Sequence, residues 1–171
     1  GRILPVVDTK ILIKNNENAK EIKIANANIE FKNVLFGYKN SDGDVLKEVN
    51  LIFEGGKMTS LVGHSGSGKS TILNLIPRFY DCKSGDISID DQSIYDVTLQ
   101  SLRKNISLVS QETTLFDDTI KNNIKYANLD ATDEEVFKAA KLSHCDEFIE
   151  NLPEKYETCL LYTSPSPRDR I

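Results

Sequence analysis

The stretch Val62 to Thr71 reads V-G-H-S-G-S-G-K-S-T, and residues Gly63 to Ser70 within it satisfy the pattern G-x-x-x-x-G-K-[ST]. The apolar run Met58 to Val62 comes directly before this pattern and predicts a short buried strand. A helix is predicted directly after it, from apolar residues at helical spacing: Ile72, Leu75, Ile76 and Phe79. A strand, a glycine-rich loop and a helix in this order predict a phosphate-binding loop.

Each residue type in this loop suits phosphate binding. Gly63, Gly66 and Gly68 allow backbone conformations that residues with a Cβ avoid, so that successive N–H groups can turn toward an anion. Lys69 brings a full positive charge to the outer phosphates, and Ser70 offers its hydroxyl to Mg²⁺. A chance match to the pattern has a probability on the order of 1%. We therefore interpret the stretch as a phosphate-binding loop rather than an accidental glycine-rich turn.

Composition and charge narrow the class of protein. The 171 residues carry 26 Asp and Glu against 21 Lys and Arg, a net charge of −5, and no run approaches the roughly 18 to 20 apolar residues of a membrane-spanning helix. A nucleic-acid module usually has a basic excess, so no nucleic-acid partner is expected. The three cysteines lack C-x-x-C spacing and support neither a disulfide framework nor a zinc site. We expect one soluble globular domain from a reducing, cytoplasmic compartment.

Two alternating patterns precede the loop and predict an antiparallel hairpin. Ile29, Phe31 and Asn33 alternate with charged residues, which predicts a half-buried strand. Residues Val45 to Phe53 alternate in the same way. The tetrapeptide S-D-G-D at Ser41 to Asp44 supplies a turn between them.

Downstream of the loop the pattern becomes helical. T-D-E-E at Thr132 to Glu135 fits a capping box. A narrow apolar stripe follows it: Val136, Ala139, Ala140 and Ser143. The chain from about Thr98 to Leu152 is therefore predicted to be mostly helical.

Several other candidates for chemistry have plainer interpretations. Asp90 and Asp91 follow a short apolar alternation, as a magnesium-binding carboxylate would, but they come too soon after the loop and are interpreted as turn residues. His64 is interpreted as an exposed loop position rather than an acid or base. His144 and Cys145 are adjacent near a helix end, where neighbours point in different directions, so they do not predict a metal site.

The loop alone does not choose among ATPases, GTPases and small-molecule kinases. No N-K-x-D or D-x-x-G element occurs, which argues against a GTPase. Tyr38 lies 25 positions before Gly63 and could return over the site by way of the hairpin. An aromatic ring stacks on any base for about 1–3 kcal/mol, so Tyr38 is a candidate base contact. The residues alone support equally well a tyrosine packed in the core.

Six segments in this order resemble the nucleotide-binding domain of ATP-binding cassette (ABC) transporters, in particular the exporter type with fused membrane and ATPase parts. The resemblance covers about Ile29 to Thr158. Its segments are F-G-Y at Phe36–Tyr38, V-G-H-S-G-S-G-K-S-T at Val62–Thr71, L-I-P-R-F-Y-D at Leu75–Asp81, S-G-D-I-S-I-D-D at Ser84–Asp91, L-R-K-N-I-S-L-V-S-Q-E at Leu102–Glu112 and L-F-D-D-T-I-K-N-N-I at Leu115–Ile124. They are similar to the A-loop, the Walker A motif, an exporter segment in two parts, the Q-loop region and the start of the helical subdomain.

This resemblance implies a fold and a set of site residues. The fold is α/β, a P-loop NTPase core with an antiparallel β subdomain and the start of an α-helical subdomain, here incomplete. ATP would be bound with Mg²⁺, Lys69 and Gln111 would take part in catalysis, and Ser70 and Gln111 would contact the metal ion. The implied nucleotide contacts are Tyr38, Gly63, His64, Ser65, Gly66, Ser67, Gly68, Lys69, Ser70, Thr71 and Gln111.

The resemblance also implies partners and a domain organisation. Residues 28–160 would be a partial ATP-binding domain, and residues 1–27, rich in Asn, Lys and Glu from residue 11 onward, would be a connector from an upstream membrane domain. Residues 161–171 form a Ser/Pro/Arg run with neither helical nor strand period, and this composition rather than the resemblance predicts a non-native tail. The parent protein would lie at the cytoplasmic face of a membrane, with a second nucleotide-binding domain and its own transmembrane domain as partners. The fragment itself would be soluble.

Hydrolysis needs groups that the resemblance places beyond the matched segments. The family's Walker B Asp, the Glu after it, the switch His and the signature L-S-G-G-Q do not occur in this sequence. We therefore expect an ATP-driven exporter as the parent and a fragment that binds nucleotide without turning it over. Two alternatives stay open, a soluble ABC ATPase without a membrane domain and a non-catalytic nucleotide-binding module.

Overall fold

The computed structural model describes residues 13–39, 43–109 and 115–160. The chain divides into two compact units, Gly1–Leu108 and Val109–Ile171. None of the helices in the described residues has the length or apolarity needed to cross a bilayer. Parts of the predicted turn at Ser41–Asp44, as well as Gln111 and the tail 161–171, lie outside the described residues.

The first unit is built on a four-stranded antiparallel sheet with the order β2-β1-β3-β4. Its strands are β1 (Ile29–Phe36), β2 (Leu46–Phe53), β3 (Ser84–Ile89) and β4 (Gln92–Ser93). β1 pairs with β2, and the rings of Phe31 and Phe53 meet edge to face at 5.9 Å across this pair. The predicted hairpin of two alternating strands is confirmed, and so is the antiparallel β subdomain.

The alternation in β1 does not run through the whole strand. Phe31, Val34 and Phe36 are buried, whereas Asn33 is exposed and has a left-handed φ of 50°. The register shifts between Phe31 and Val34, and a bulge of this kind moves the following side chains to the other face. Placing Asn33 on the buried face was therefore wrong.

Two helices pack on this sheet. Helix α1 spans Lys69–Leu75 and helix α2 spans Leu99–Lys104, with the Thr98 hydroxyl accepting the Ser101 N–H as the cap of α2. The predicted apolar spacing of α1 is confirmed except at its end, since the helix stops before Pro77 and Phe79 is 42% exposed. The side chains that form the centre of the core are Phe31, Val34, Leu75, Ile87, Ile94 and Leu102.

The buried strand predicted at Met58–Val62 is wrong. This run carries no strand pairing, and the side chains of Met58 and Val62 are 97% and 93% exposed. Leu61 is partly buried against the core of the first unit. An extended run becomes a strand only when a neighbour supplies backbone partners, and no described strand lies beside this one.

The segment before β1 is attached to the residues between β4 and α2. Lys20 forms a parallel bridge with Val97 and donates its amide N–H to the Asp96 carbonyl at 3.0 Å. The Asn16 side chain donates to the Tyr95 carbonyl at 2.7 Å, and the Ile22 side chain is buried. These contacts fix the path of the segment, while its assignment as a connector stays a prediction.

The Asp90 carboxylate organises the entry into β1. Its Oδ2 accepts the amide N–H groups of Ala25, Asn26 and Ala27 at 2.7, 2.9 and 3.0 Å, and Oδ1 accepts that of Asn28 at 2.9 Å. These hydrogen bonds, led by the one from Ala25, lower the pKa of Asp90 to about 2. The ionised carboxylate therefore stabilises the folded chain.

Replacing Asp90 with asparagine is expected to lower the free energy of unfolding near neutral pH. Because the folded pKa of about 2 lies below the ordinary value of 3.8, the contribution is complete above about pH 4 and is lost as the pH falls through about 2. The difference between the wild type and Asp90→Asn should therefore shrink on acidification. Urea unfolding at pH 7, 4 and 2.5 measures it.

The neighbouring Asp91 supplies a matched control. Asp90 and Asp91 both lie in the turn after β3 with left-handed φ angles of 48° and 61°, which confirms that they are turn residues. All four amide groups donate to Asp90 rather than Asp91, so Asp91→Asn should unfold like the wild type at each pH. Equal losses in the two variants would contradict the role given to Asp90.

The second unit is made of short elements. Thr132 and Glu135 exchange the two hydrogen bonds of the predicted capping box, which is confirmed. The elements are β5 (Asp118–Thr119), α3 (Ile120–Lys125), α4 (Asp133–Leu142), α5 (Asp146–Glu150), a 3₁₀ turn (Lys155–Glu157) and β6 (Cys159–Leu160), with β5 antiparallel to β6.

The apolar stripe predicted for this region was partly wrong. Val136 and Ala140 of the predicted stripe are buried, whereas Ala139 and Ser143 are exposed. The buried face of α4 is therefore narrower than the predicted stripe. More than half of the described residues between Thr98 and Leu152 lie in helices, so the prediction of a mostly helical stretch is confirmed, although each helix is short. Polar caps and turns interrupt the helical period there.

Candidate functional site

The glycine-rich loop forms a turn that leads directly into α1. The Ser67 N–H donates to the His64 carbonyl at 3.2 Å, which closes the turn, and α1 begins at Lys69. Gly66 has a φ of 82°, a left-handed conformation that favours glycine. The loop is thus neither a straight helix nor an extended strand.

Gly68 fixes the loop against the sheet. It has a φ of 87° at the N-terminal cap of α1, and it is buried. A Cβ at this position would lie 2.8 Å from Cδ2 of Leu46 and 3.4 Å from Cγ1 of Val45. The start of β2 therefore approaches the loop so closely that only glycine fits without movement.

The Lys69 side chain turns back into the loop. Its Nζ donates to the carbonyls of Gly63 at 2.8 Å and His64 at 2.7 Å, and to the Ser67 hydroxyl at 3.2 Å. These three contacts match the three protons of an ammonium group. The positive charge is held within the loop, among the exposed residues Gly63, His64 and Ser67.

Tyr38 lies beside the same helix. Its hydroxyl is 3.1 Å from the Thr71 hydroxyl, and its ring lies 4.9 Å from that of Phe36 at an interplanar angle of 85°. The side chain is half-buried against the core. Tyr38 therefore packs on the core, as one interpretation of the sequence has it, and also lies next to Thr71 at the end of the glycine-rich stretch, as a base-contacting ring would.

The structure brings most of the predicted site residues together. Residues 63–71 are contiguous, and within them Gly63 to Ser67 and Ser70 are exposed, whereas Gly68 and Thr71 are buried. Ser65 belongs to the turn of the loop, and His64 is exposed as expected. Gln111 is outside the described residues, so its role stays a prediction.

One neighbour of the site was not predicted from the sequence. The ring of Tyr80 lies 5.1 Å from the ring of Tyr38 and 5.7 Å from that of Phe36. The available signal was the aromatic pair Phe79-Tyr80 that follows the helix-ending Pro77, but a sequence does not show which aromatic residues meet.

Comparison with known proteins identifies the fold and the family. A family profile described as ABC transporter matches residues 46–160. A solved bacterial Atm1-family ABC exporter with ATP bound aligns with a TM-score of 0.86 and 39% identity, covering 92% of this chain and 27% of that one. The fold is therefore that of an ABC ATPase, as predicted.

Curated relatives agree with this match. An ATP-dependent lipid A-core flippase of Legionella pneumophila is 52% identical over 130 residues, which cover 76% of this chain and 22% of the relative. A putative multidrug export ATP-binding/permease protein of Staphylococcus aureus is 45% identical over 156 residues, covering 91% and 27%. The chain spans about a quarter of the length of these relatives. Because the family profile covers more than half of it, the chain belongs to the ABC transporter family.

Proposed function

We propose that this chain is the ATP-binding portion of an ABC exporter in which ATP binding and hydrolysis drive transport across a membrane. One observation carries the proposal: the Tyr38 hydroxyl is 3.1 Å from Thr71, on the helix whose first residue, Lys69, holds its ammonium group in the loop. The segment Lys69–Thr71 thus carries the cation for the phosphates at its first residue and contacts the aromatic ring for the base, that of Tyr38, at its last.

Different groups of the loop would bind the phosphates and the Mg²⁺ ion. Lys69 would exchange one or more of its contacts with the Gly63 and His64 carbonyls for a phosphate oxygen, which is a stronger, charge-assisted acceptor. The backbone N–H groups of the exposed loop would donate to the phosphates. Ser70, exposed in the first turn of α1, would offer its hydroxyl to Mg²⁺. Bound Mg²⁺ would neutralise phosphate charge.

The remaining nucleotide contacts follow from position and resemblance. Tyr38 would stack on the base, and Thr71 links that ring to the loop. His64, Ser65, Gly66, Ser67 and Gly68 would contribute through the backbone of the loop. Gln111 would reach the Mg²⁺ and the attacking water, as the resemblance implies.

The organisation of the parent protein is also part of the proposal. The relatives include a protein named as both ATP-binding and permease, which supports a transmembrane domain in the same parent chain and a place at the cytoplasmic face of the membrane. Residues 1–27 would connect to that domain, and 28–160 would belong to the ATPase. Two such ATPase domains would close around ATP and drive the change between two membrane arrangements.

We expect the 171-residue chain to bind ATP without hydrolysing it. These 171 residues include no L-S-G-G-Q segment and no apolar run that ends in Asp-Glu. Hydrolysis also requires a carboxylate that holds Mg²⁺ and a residue that polarises the attacking water, and the resemblance assigns these to the Walker B Asp and the Glu after it. Phosphate release from MgATP should therefore stay at the rate of buffer alone.

Calorimetric titration with MgATP, MgAMP and adenosine tests the proposal. Each charge-assisted hydrogen bond to a phosphate is worth about 1.5–3 kcal/mol, so MgATP should bind at least about tenfold more tightly than MgAMP. Adenosine, which carries no phosphate, should bind most weakly. Equal affinities for the three would show that the loop does not bind phosphate and would remove the proposed function.

A further inference from the structure

We propose that Tyr80 is a positioning residue that fixes the plane of the Tyr38 ring and so prepares it to stack on a nucleotide base. This inference rests on the proposed function, in which Tyr38 contacts the base. It assigns to Tyr80 a share in base binding without direct contact with the nucleotide.

Three aromatic rings pack together beside the loop. The ring of Tyr80 is 5.1 Å from that of Tyr38 with an interplanar angle of 89°, and the ring of Phe36 is 4.9 Å from Tyr38 at 85°. Phe36 and Tyr80 also contact each other at 5.7 Å and 55°. Perpendicular rings at these distances have the favourable edge-to-face geometry. Tyr38 is therefore held by two rings, each nearly perpendicular to its own.

The hydrogen bond to Thr71 cannot set the plane of the Tyr38 ring by itself. The hydroxyl oxygen lies on the Cγ–Cζ axis, and rotation about χ2 turns the ring around that axis without moving the oxygen. The 3.1 Å contact with Thr71 therefore fixes the end of the side chain and leaves χ2 free. Since χ2 of tyrosine has a broad energy profile, packing contacts with the ring bias it, and the rings of Phe36 and Tyr80 supply two such contacts. Stacking depends on this plane.

Tyr80 can be altered with less damage to the core than Phe36. Phe36 is only 3% exposed and belongs to the hydrophobic core, whereas Tyr80 is 41% exposed. Phe79 offers a matched control, because it is the adjacent aromatic residue with 42% exposure. The guanidinium group of Arg103 lies over the Phe79 ring, 5.3 Å from its centroid. Phe79 thus has a different partner.

Calorimetric titration of the full chain with MgATP and with magnesium tripolyphosphate separates the base from the phosphates. Tyr80→Ala should weaken MgATP binding about three- to tenfold, as expected for the loss of one aromatic pair, and leave tripolyphosphate binding unchanged. Tyr80→Phe should bind both ligands like the wild type, because the contact uses the ring and not the hydroxyl. Phe79→Ala should also bind both like the wild type.

Tyr38→Ala distinguishes this inference from the proposed function. If Tyr38→Ala weakens MgATP binding and Tyr80→Ala does not, Tyr80 does not position the ring and only this inference fails. If neither variant weakens MgATP binding, Tyr38 does not contact the base, and both that part of the proposed function and this inference are wrong. Loss of tripolyphosphate binding in Tyr80→Ala would show a structural role and would also overturn the inference.

Discussion

Lys69→Ala should weaken MgATP binding by about 10- to 100-fold. The variant removes the charge that the loop holds through the carbonyls of Gly63 and His64 and the Ser67 hydroxyl. A hydrogen bond to a charged group is worth about 1.5–3 kcal/mol, and about 1.4 kcal/mol corresponds to a factor of ten in affinity. Titration calorimetry measures the change, and magnesium tripolyphosphate should show a loss of similar size.

The stability of the folded chain should change little in this variant. The carbonyls that Lys69 releases belong to exposed residues of the loop, so water can replace the ammonium group. Urea unfolding of Lys69→Ala should therefore give a midpoint close to that of the wild type. A loss of affinity without a loss of stability would locate the effect in ligand binding.

Lys57→Ala is the matched control for charge. Lys57 precedes the loop, is exposed, and pairs with Glu54 on the surface. Removing it changes the net charge by the same amount as removing Lys69, but no phosphate contact is assigned to it. MgATP affinity should therefore stay within about twofold of the wild type. Equal losses in Lys57→Ala and Lys69→Ala would indicate a general effect of charge and would contradict the assignment to Lys69.

Local signals in the sequence predicted the parts of the fold that depend on neighbouring residues. The capping box needs only Thr132 and Glu135, three positions apart, and the structure has both of its hydrogen bonds. The two alternating runs that became β1 and β2 lie close together in the chain, so a hairpin was the simplest pairing. The glycine spacing likewise indicated where α1 begins.

Signals that depend on distant partners were weaker. Met58–Val62 has the composition of a buried strand, but burial and pairing come from other segments, and the described residues supply none for Met58 or Val62. The contact of Tyr80 with Tyr38 joins residues more than forty positions apart. No periodicity records such a contact. The sequence therefore located the loop but did not show that the Tyr80 ring packs against Tyr38.

Gly85→Ala should lower the free energy of unfolding by about 2–5 kcal/mol. Gly85 has a φ of 86°, where alanine is strained by roughly 1–2 kcal/mol. A Cβ there would also lie 2.4 Å from the Asn33 carbonyl oxygen and 2.5 Å from that of Lys32. These are backbone atoms of β1, which cannot rotate away as a side chain can, and overpacking adds about 1–3 kcal/mol.

Gly56→Ala separates backbone strain from the clash at Gly85. Gly56 has a left-handed φ of 69°, but nothing lies within 4 Å of the position its Cβ would take. Gly56→Ala should therefore lower the free energy of unfolding only by the cost of backbone strain, roughly 1–2 kcal/mol. Urea unfolding of both variants measures the difference.

The losses of unfolding free energy in Gly85→Ala and Gly56→Ala should differ because of the close approach of two strands. β1 and β3 approach each other at the register shift between Lys32 and Leu35, where β3 has no room for a side chain. Equal losses would mean that β1 moves aside freely there, and the close approach of the two strands would not contribute to stability.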